Sequence, residues 1–388
     1  MLADLIQSIE ADYPNMVETR RYLHAHPELS FKEKNTAAFI EAFYKELGIP
    51  SRANVGGNGI IATIEGSTKG KTIALRADFD GLPIQDEKKV PYASKNPGVM
   101  HACGHDGHTA TLLYVAKILH MHRNHLKGKI VCIHQHAEEF APGGALSMIE
   151  DGALEGVDYV YGTHLWTSTP YGTIQTSPGN FMAAADKFII EIIGKGGHGG
   201  MPHQTIDPII IGSQFVLNVQ QLLSRRMDPL HTAVISIGKF HAGDANNVIP
   251  ERAVLEGTVR TFDAQLQEFI IDEMEKILHA TCLSYDADYL FDYQKGYPPV
   301  VNHPNEAQFV LECAKEVPEV TRTEMVTPSM TGEDFSYYLQ NKPGAFFFTG
   351  AQVLDKFVPH HHPLFDFDER AMLVAAKTFF HLIEKTNS

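Results

Sequence analysis

One ordering of hydrophobic segments constrains the fold of this chain more than any other feature. Strand-like and helix-like segments alternate to about residue 177, change order, and alternate again from about residue 298. In the first stretch, helical spacing covers the opening residues, 36–47, 108–120 and 144–149, and apolar runs at 59–65, 72–77, 129–133 and 159–163 read as strands. The middle stretch reads strand 188–193, helix 207–223, strands 232–240 and 252–262, helix 264–283 and strand 286–293. That is the β-α-β-β-α-β order of a ferredoxin-like unit. Helices at 305–317 and 369–385 and a strand at 345–349 follow. The expected fold is α/β: a layered, mixed, mainly parallel sheet flanked by helices, interrupted by a ferredoxin-like domain. The expected division is 1–181 and 297–388 for the larger domain and 182–296 for the insertion.

Composition removes several classes of function. A net charge of −15 without a basic block makes nucleic acid an unexpected partner. Apolar runs of about 18 residues are lacking, so a membrane span is not expected. The N-terminus reads as an amphipathic helix rather than a leader, and the four cysteines, Cys103, Cys132, Cys282 and Cys313, form no dense framework. Both points fit a cytoplasmic protein. Histidine is the unusual residue, with 21 copies.

The densest run of chemistry is 101–108 (HACGHDGH), at an expected helix start. A thiolate and an imidazole two residues apart, Cys103 and His105, suit one divalent ion. They equally suit a nucleophilic cysteine with a histidine partner. His101 and His108 read as supporting or core residues, because one turn rarely supplies four ligands.

Three later groups look able to complete a site. Glu138 and Glu139 follow the strand 129–133, and ligands of open α/β sheets sit beyond the carboxyl ends of strands. Adjacent acids there can divide the work, one binding metal and one moving a proton; alone, such a pair also fits a solvated loop. His164 follows another strand and also fits a hydrogen-bonded core residue. Residues 360–362 are three histidines, which alone also fit a surface loop. His198, in 196–200 (GGHGG), fits a flexible turn as well as a site, and Arg260 fits a cross-strand ion pair.

Together these segments resemble the dinuclear-metal amidohydrolases of the aminoacylase and carboxypeptidase G superfamily. The nearest subgroup is that of hippurate hydrolases, N-acyl-amino-acid amidohydrolases and indole-acetyl-amino-acid hydrolases. The motifs are 20–28 (RRYLHAHPE), 74–83 (ALRADFDGLP), 100–108 (MHACGHDGH), 137–139 (AEE), 162–164 (GTH), 194–202 (GKGGHGGMP), 247–250 (NVIP), 257–260 (GTVR) and 361–365 (HHPLF), in order over nearly the whole chain. The resemblance implies that Cys103 is shared by two metal ions, that His105 and His164 complete one, and that Glu139 and His361 complete the other. It implies Glu138 as general base and acid. Arg76 stands where broader relatives carry a metal-binding histidine, and Asp78 supports the ligands from behind. His198, Asn247 and Arg260 are expected to bind the substrate, with His198 at the reacting carbonyl or carboxylate and able to reach a partner subunit's site.

The implied cofactors are two divalent ions, zinc first, with manganese, cobalt or nickel as alternatives for a mixed donor set. The implied reaction is hydrolysis of the amide of an N-acyl amino acid by a homodimer. A dipeptidase and an N-acetyl-diaminopimelate-type deacetylase carry the same motifs. A non-catalytic metal- or ligand-binding protein on the same fold is a further alternative, though it has no need of a second acid beside Glu139.

Overall fold

The computed structural model describes residues 1–354 and 357–387. The chain opens with α1 (Leu2–Ala25), α2 (Lys34–Leu47), β1 (Ser51–Val55), β2 (Gly59–Glu65), β3 (Thr68–Asp78) and α3 (His105–Met121). Next come β4 (Lys127–Gln135), α4 (Ala145–Glu150), β5 (Tyr159–Pro170), β6 (Thr173–Thr176) and β7 (Gly179–Met182). The middle holds β8 (Ala184–Ile193), β9 (Gly197–His198), α5 (Pro208–Gln221), β10 (Ala233–Ala242), β11 (Val248–Ile249), β12 (Arg252–Thr261), α6 (Ala264–Leu283) and β13 (Asp288–Tyr297). The chain closes with β14 (Val300–Asn302), α7 (Pro304–Ala314), β15 (Arg322–Met325), α8 (Ser336–Asn341), β16 (Gly344–Gln352) and α9 (Arg370–Thr386).

Contacts divide the chain into two units. The first comprises Met1–Phe181, Val300–Pro328 and Asp334–Ser388; the second comprises Met182–Pro299 and Ser329–Glu333.

The first unit is built on a mixed sheet in the order β1-β2-β4-β3-β5-β16-β6-β15. The ladders β4/β3, β3/β5, β5/β16 and β6/β15 are parallel. Parallel strands need cover on both faces, and the sequence shows it. In β16 (GAFFFTGAQ) every residue but the last is buried. Helices α1, α3 and α9 pack against one another, while α4 packs on α8. Phe335, just before α8, approaches Gly162 of β5 so closely that a Cβ there would lie 2.7 Å from its ring. The core joins Leu5, Ile9, Ile40, Leu75, Leu113, Phe347 and Phe380 from four helices and the central strands. Glu28 accepts from the backbone amides of Asn35 and Thr36 at 2.9 Å and so starts α2, and Gly48 ends it at φ 67°.

The second unit is a four-stranded antiparallel sheet, β10-β12-β8-β13, with α5 and α6 packed on each other and on the sheet. Burial alternates along β8, as a one-faced sheet requires. Asp207 caps α5 through the amide of Ile209 at 2.9 Å, and Asp263 caps α6 through that of Leu266 at 2.7 Å. Its core is Phe188, Ile190, Ile192, Phe215, Leu255, Ile270 and Met274.

Two boundaries differ from the sequence reading where it matters. Helix α3 begins at His105 rather than 108, because Gly104 at φ 95° supplies the bend that admits it. Strand β5 runs on past His164 to Pro170, because β16 stays paired with it through Gln352 opposite Pro170.

Candidate metal centre

The site forms where three neighbouring strands deliver polar residues to one edge. Asp78 ends β3, paired with Gln135 at the end of β4, and Arg76 is paired with Gly162 of β5. Beyond β4, Ala137 adopts a left-handed φ of 55°, which turns the chain into Glu138 and Glu139. The Glu33 carboxylate holds that turn by accepting from the Ala137 amide at 2.8 Å. Gly107 meets a different need from Gly104: a Cβ there would sit 2.5 Å from Phe367 and 2.6 Å from Leu165.

Donor atoms converge in overlapping sets. Cys103, His105 and His164 offer atoms within 4.8 Å of one another, and so do Cys103, Glu139 and His361, and His105, Glu138 and Glu139. The Cys103 sulfur lies 3.3 Å from His164 Nε2. His361 Nε2 lies 3.3 Å from Glu139 Oε1, and His105 Nε2 lies 3.8 Å from that same oxygen. Cys103 is therefore common to two donor sets. His361 reaches inward from a residue at φ 63°, anchored by its amide on the Ala102 carbonyl at 2.8 Å. His360 and His362 belong to neither set.

Of the remaining histidines of 101–108, His101 is buried with neither ring nitrogen hydrogen-bonded among the described residues, while His108 is defined by its partners. His108 Nδ1 meets Asp78 Oδ1 at 2.6 Å, and its Nε2 accepts from the Leu165 amide at 2.9 Å. Both nitrogens are engaged, so His108 supports the site without facing a metal. Asp78 also binds the Arg76 guanidinium at 2.5 Å, and Arg76 binds Gln135 and Asp334 at 2.9 Å each. Burial alone would raise the Asp78 carboxyl; the charges of Arg76, His105 and His108 outweigh it and hold it well below the usual range.

Asp80 was not singled out by the sequence reading, although it stands inside the motif 74–83. One of its oxygens lies 3.1 Å from His105 Nδ1; the other accepts from the Glu139 amide at 2.9 Å and from Ser30 Oγ at 2.7 Å. A carboxylate behind a histidine fixes the tautomer and turns the other nitrogen outward. Arg20, wholly buried, plays a comparable part further back. It binds Asp106 beside His105 at 2.8 Å, and Asp366 and Glu369 beyond the histidine loop at 2.8 and 3.1 Å. The spacing of 20–28 gave no sign of this, because its partners lie up to 349 residues away.

Do these residues fit a divalent ion? His105 Nε2 is buried with no hydrogen-bond partner, aimed among carboxylates. Burial opposes charge on that ring, yet Asp78, the bond to Asp80 and Glu139 lift its pKa to about 10. Burial, with Glu139 and Glu138, pushes the Cys103 thiol well above its ordinary value. The surroundings thus draw a positive charge into the cluster. A divalent ion meets that demand while displacing both protons, and sulfur, imidazole and carboxylate together suit one.

The second unit carries the other three expected residues. His198 lies on β9 opposite Val248 of β11 and is exposed. Its Nδ1 accepts from the Gly200 amide at 2.9 Å, which leaves the proton on Nε2, turned away from the main chain. Asn247 is exposed beside it, its carbonyl bound by the Gly199 amide at 2.8 Å. Arg260 on β12 bonds to Thr258 and to the main-chain oxygens of Val259 and Asp186, and burial lowers its pKa.

The chain is similar to several known proteins. A family model described as "Peptidase family M20/M25/M40" matches residues 74–385. A Bacillus subtilis protein, YhaA, provisionally named an amidohydrolase, is 54% identical over 376 residues, covering 96% of this chain and 95% of that one. An N-acyl-L-amino acid amidohydrolase from Geobacillus stearothermophilus is 47% identical over 299 residues, covering 77% and 80%. Among solved structures, the Bacillus subtilis YXEP protein, described as a dinuclear metal binding peptidase, has a TM-score of 0.82 at 36% identity, over 96% of this chain and 98% of that one.

Proposed function

The chain belongs to peptidase family M20/M25/M40, a membership that makes it a metal-dependent hydrolase, and we propose that it hydrolyses the amide bond of N-acyl amino acids at the cluster around Cys103. The observation that carries this reading is the meeting of two donor sets on one sulfur, with a second acid beside them.

In this reading Cys103, His105 and His164 would hold one divalent ion, and Cys103, Glu139 and His361 would hold the other. Zinc is the first choice for such a mixed set, with manganese, cobalt or nickel next. Bound ions supply Lewis acidity and make a water acidic enough to lose a proton near neutral pH. Glu138, whose carboxylate lies 3.9 Å from His105 Nε2, takes the proton of the attacking water and returns it to the leaving nitrogen. His198 contributes the exposed Nε2–H to the carbonyl oxygen as negative charge grows there. Asn247 and Arg260 bind the substrate carboxylate. The products are a carboxylic acid and a free amino acid.

The protein is proposed to act as a cytoplasmic homodimer. No helix of the described residues is long and apolar enough to cross a membrane. Among the described residues the outer strand β10 of the second unit pairs only with β12, which leaves an edge of the kind subunits use.

The test is a hydrolysis screen over N-acetyl, N-benzoyl and N-indoleacetyl amino acids, with dipeptides and N-acetyl-diaminopimelate in parallel, before and after chelation. Hydrolysis of acyl amino acids that chelation abolishes and added metal restores is the expected result. Chelator-resistant turnover would overturn the metal reading, and turnover of dipeptides alone would overturn the substrate class.

A further inference from the structure

Three histidines stand in a row at 360–362, and the proposed function uses only the middle one. His360 is held as firmly as the residues that the site does use. Its Nε2 accepts the Thr167 amide proton at 3.2 Å. A nitrogen that accepts carries no proton, so the ring is a neutral imidazole with its hydrogen on Nδ1. That Nδ1 lies 3.9 Å from the Cys103 sulfur.

The ring has little freedom to turn elsewhere. Its centroid lies 4.6 Å from that of Trp166 at 31°, 5.1 Å from His164 at 80° and 5.0 Å from Phe365. Trp166, the single tryptophan of the chain, lies flat on Phe348 at 4.1 Å. Thr167 Oγ1 donates to the Val358 carbonyl at 3.1 Å and ties the histidine loop to β5.

We propose that His360 donates its Nδ1–H to the Cys103 sulfur and thereby sets the electron density of the thiolate that the metal ions share. His360 is then a positioning and tuning residue that never touches metal or substrate. A donor hydrogen bond withdraws charge from a thiolate, weakens its push toward the metal and lowers the energy of its lone pairs. The inference rests on the reading of Cys103 as a metal ligand.

Cobalt-loaded full-length protein separates the two. With Cys103 on the metal, the wild type shows a sulfur-to-cobalt charge-transfer band that Cys103→Ser abolishes. Removing the hydrogen bond raises the sulfur lone pair, so His360→Leu moves that band to longer wavelength and changes metal affinity by roughly tenfold or more. His360→Asn places an amide N–H where Nδ1 stood and returns the band toward its wild-type position. His360→Gln presents its amide at the Nε2 end and behaves like the leucine variant. Melting of the metal-free variants checks that packing alone is not at work, since the band follows the donor and not the stability. A band unmoved in the Leu and Gln variants overturns the proposal and assigns the Nδ1 proton to the other acceptor it faces, the Cys103 carbonyl. A wild type without the band overturns the reading of Cys103, and the proposal with it.

Discussion

Asp80 meets the ring of His105 at 3.1 Å through one carboxylate oxygen, while its other oxygen holds the amide of Glu139 at 2.9 Å. One side chain thus orients a donor from each of the two sets. An asparagine has one oxygen and cannot satisfy both. Asp80→Asn is expected to weaken metal binding roughly 10–100-fold. Ser30→Ala, which removes one neutral donor, should destabilise the protein by only about 1 kcal/mol. Competition with a chromophoric chelator measures the first effect. Unchanged affinity would give the orienting role to the Asp80 carbonyl, which also lies 3.1 Å from His105 Nδ1.

Glu138 and Glu139 are adjacent in sequence but are assigned different work. Glu138→Gln should keep its metal and lose roughly 10²–10⁴ in turnover. Glu139→Gln should lose metal from the set that includes His361. Elemental analysis beside kcat distinguishes them, and reversed phenotypes would exchange the assignments.

Glu33 gives stability a pH dependence of its own. Burial raises its carboxyl from 4.5 to about 7, despite the bonds from Asn58 and Ala137 that favour the charged form. A raised pKa means that the folded state favours the protonated acid. This contribution is fully present below about pH 4.5 and is lost as pH rises through about 7. Glu33→Gln should remove that loss, worth at most a few kcal/mol. Denaturation of the metal-free proteins at pH 5 and pH 8 is the check: the wild type should lose more between the two than the variant. Equal losses would mean that the carboxylate is fully satisfied by its two donors.

His198 tests the assembly. If the protein is a dimer in which His198 serves the partner's site, Glu138→Gln and His198→Ala homodimers are each nearly inactive. A hybrid dimer then carries both defects in one site and none in the other. Random pairing makes about half the dimers hybrid, so roughly a quarter of wild-type sites should return on co-expression. Purified hybrids that recover no activity would confine His198 to its own subunit or remove it from the reaction.

Much of this is legible in the sequence. Strands 59–65, 129–133 and 159–163 show as apolar runs because central strands are buried on both faces. The candidate ligands Cys103, His105, Glu139, His164 and His361 and the candidate base Glu138 stand out because sulfur, imidazole and paired acids are conspicuous at strand ends. What stayed hidden depends on distance along the chain. Asp80 looks like any loop aspartate until β3 and α3 bring His105 to it. Arg20 looks like a surface arginine of α1 until three carboxylates close over it. The short strands β1, β6 and β15 have little periodicity and exist through their neighbours. The supporting part read for His108 takes its physical form only from the partners of its ring nitrogens, Asp78 and the Leu165 amide.

Cys103 and His360 are 257 residues apart, and His361 is the next residue along. Three proposed metal donors, Cys103, His105 and Glu139, and the fourth, His164, therefore leave the ribosome long before the fifth, His361. Until β16 takes its place against β5 and brings the histidine loop round, the second donor set lacks His361. A nascent chain of this kind can hold a metal loosely, but it cannot close the second set. On the proposed ligand set, metal loading of the second site would be a late event in the life of the polypeptide, one that waits for the histidine loop to be made and docked on β5.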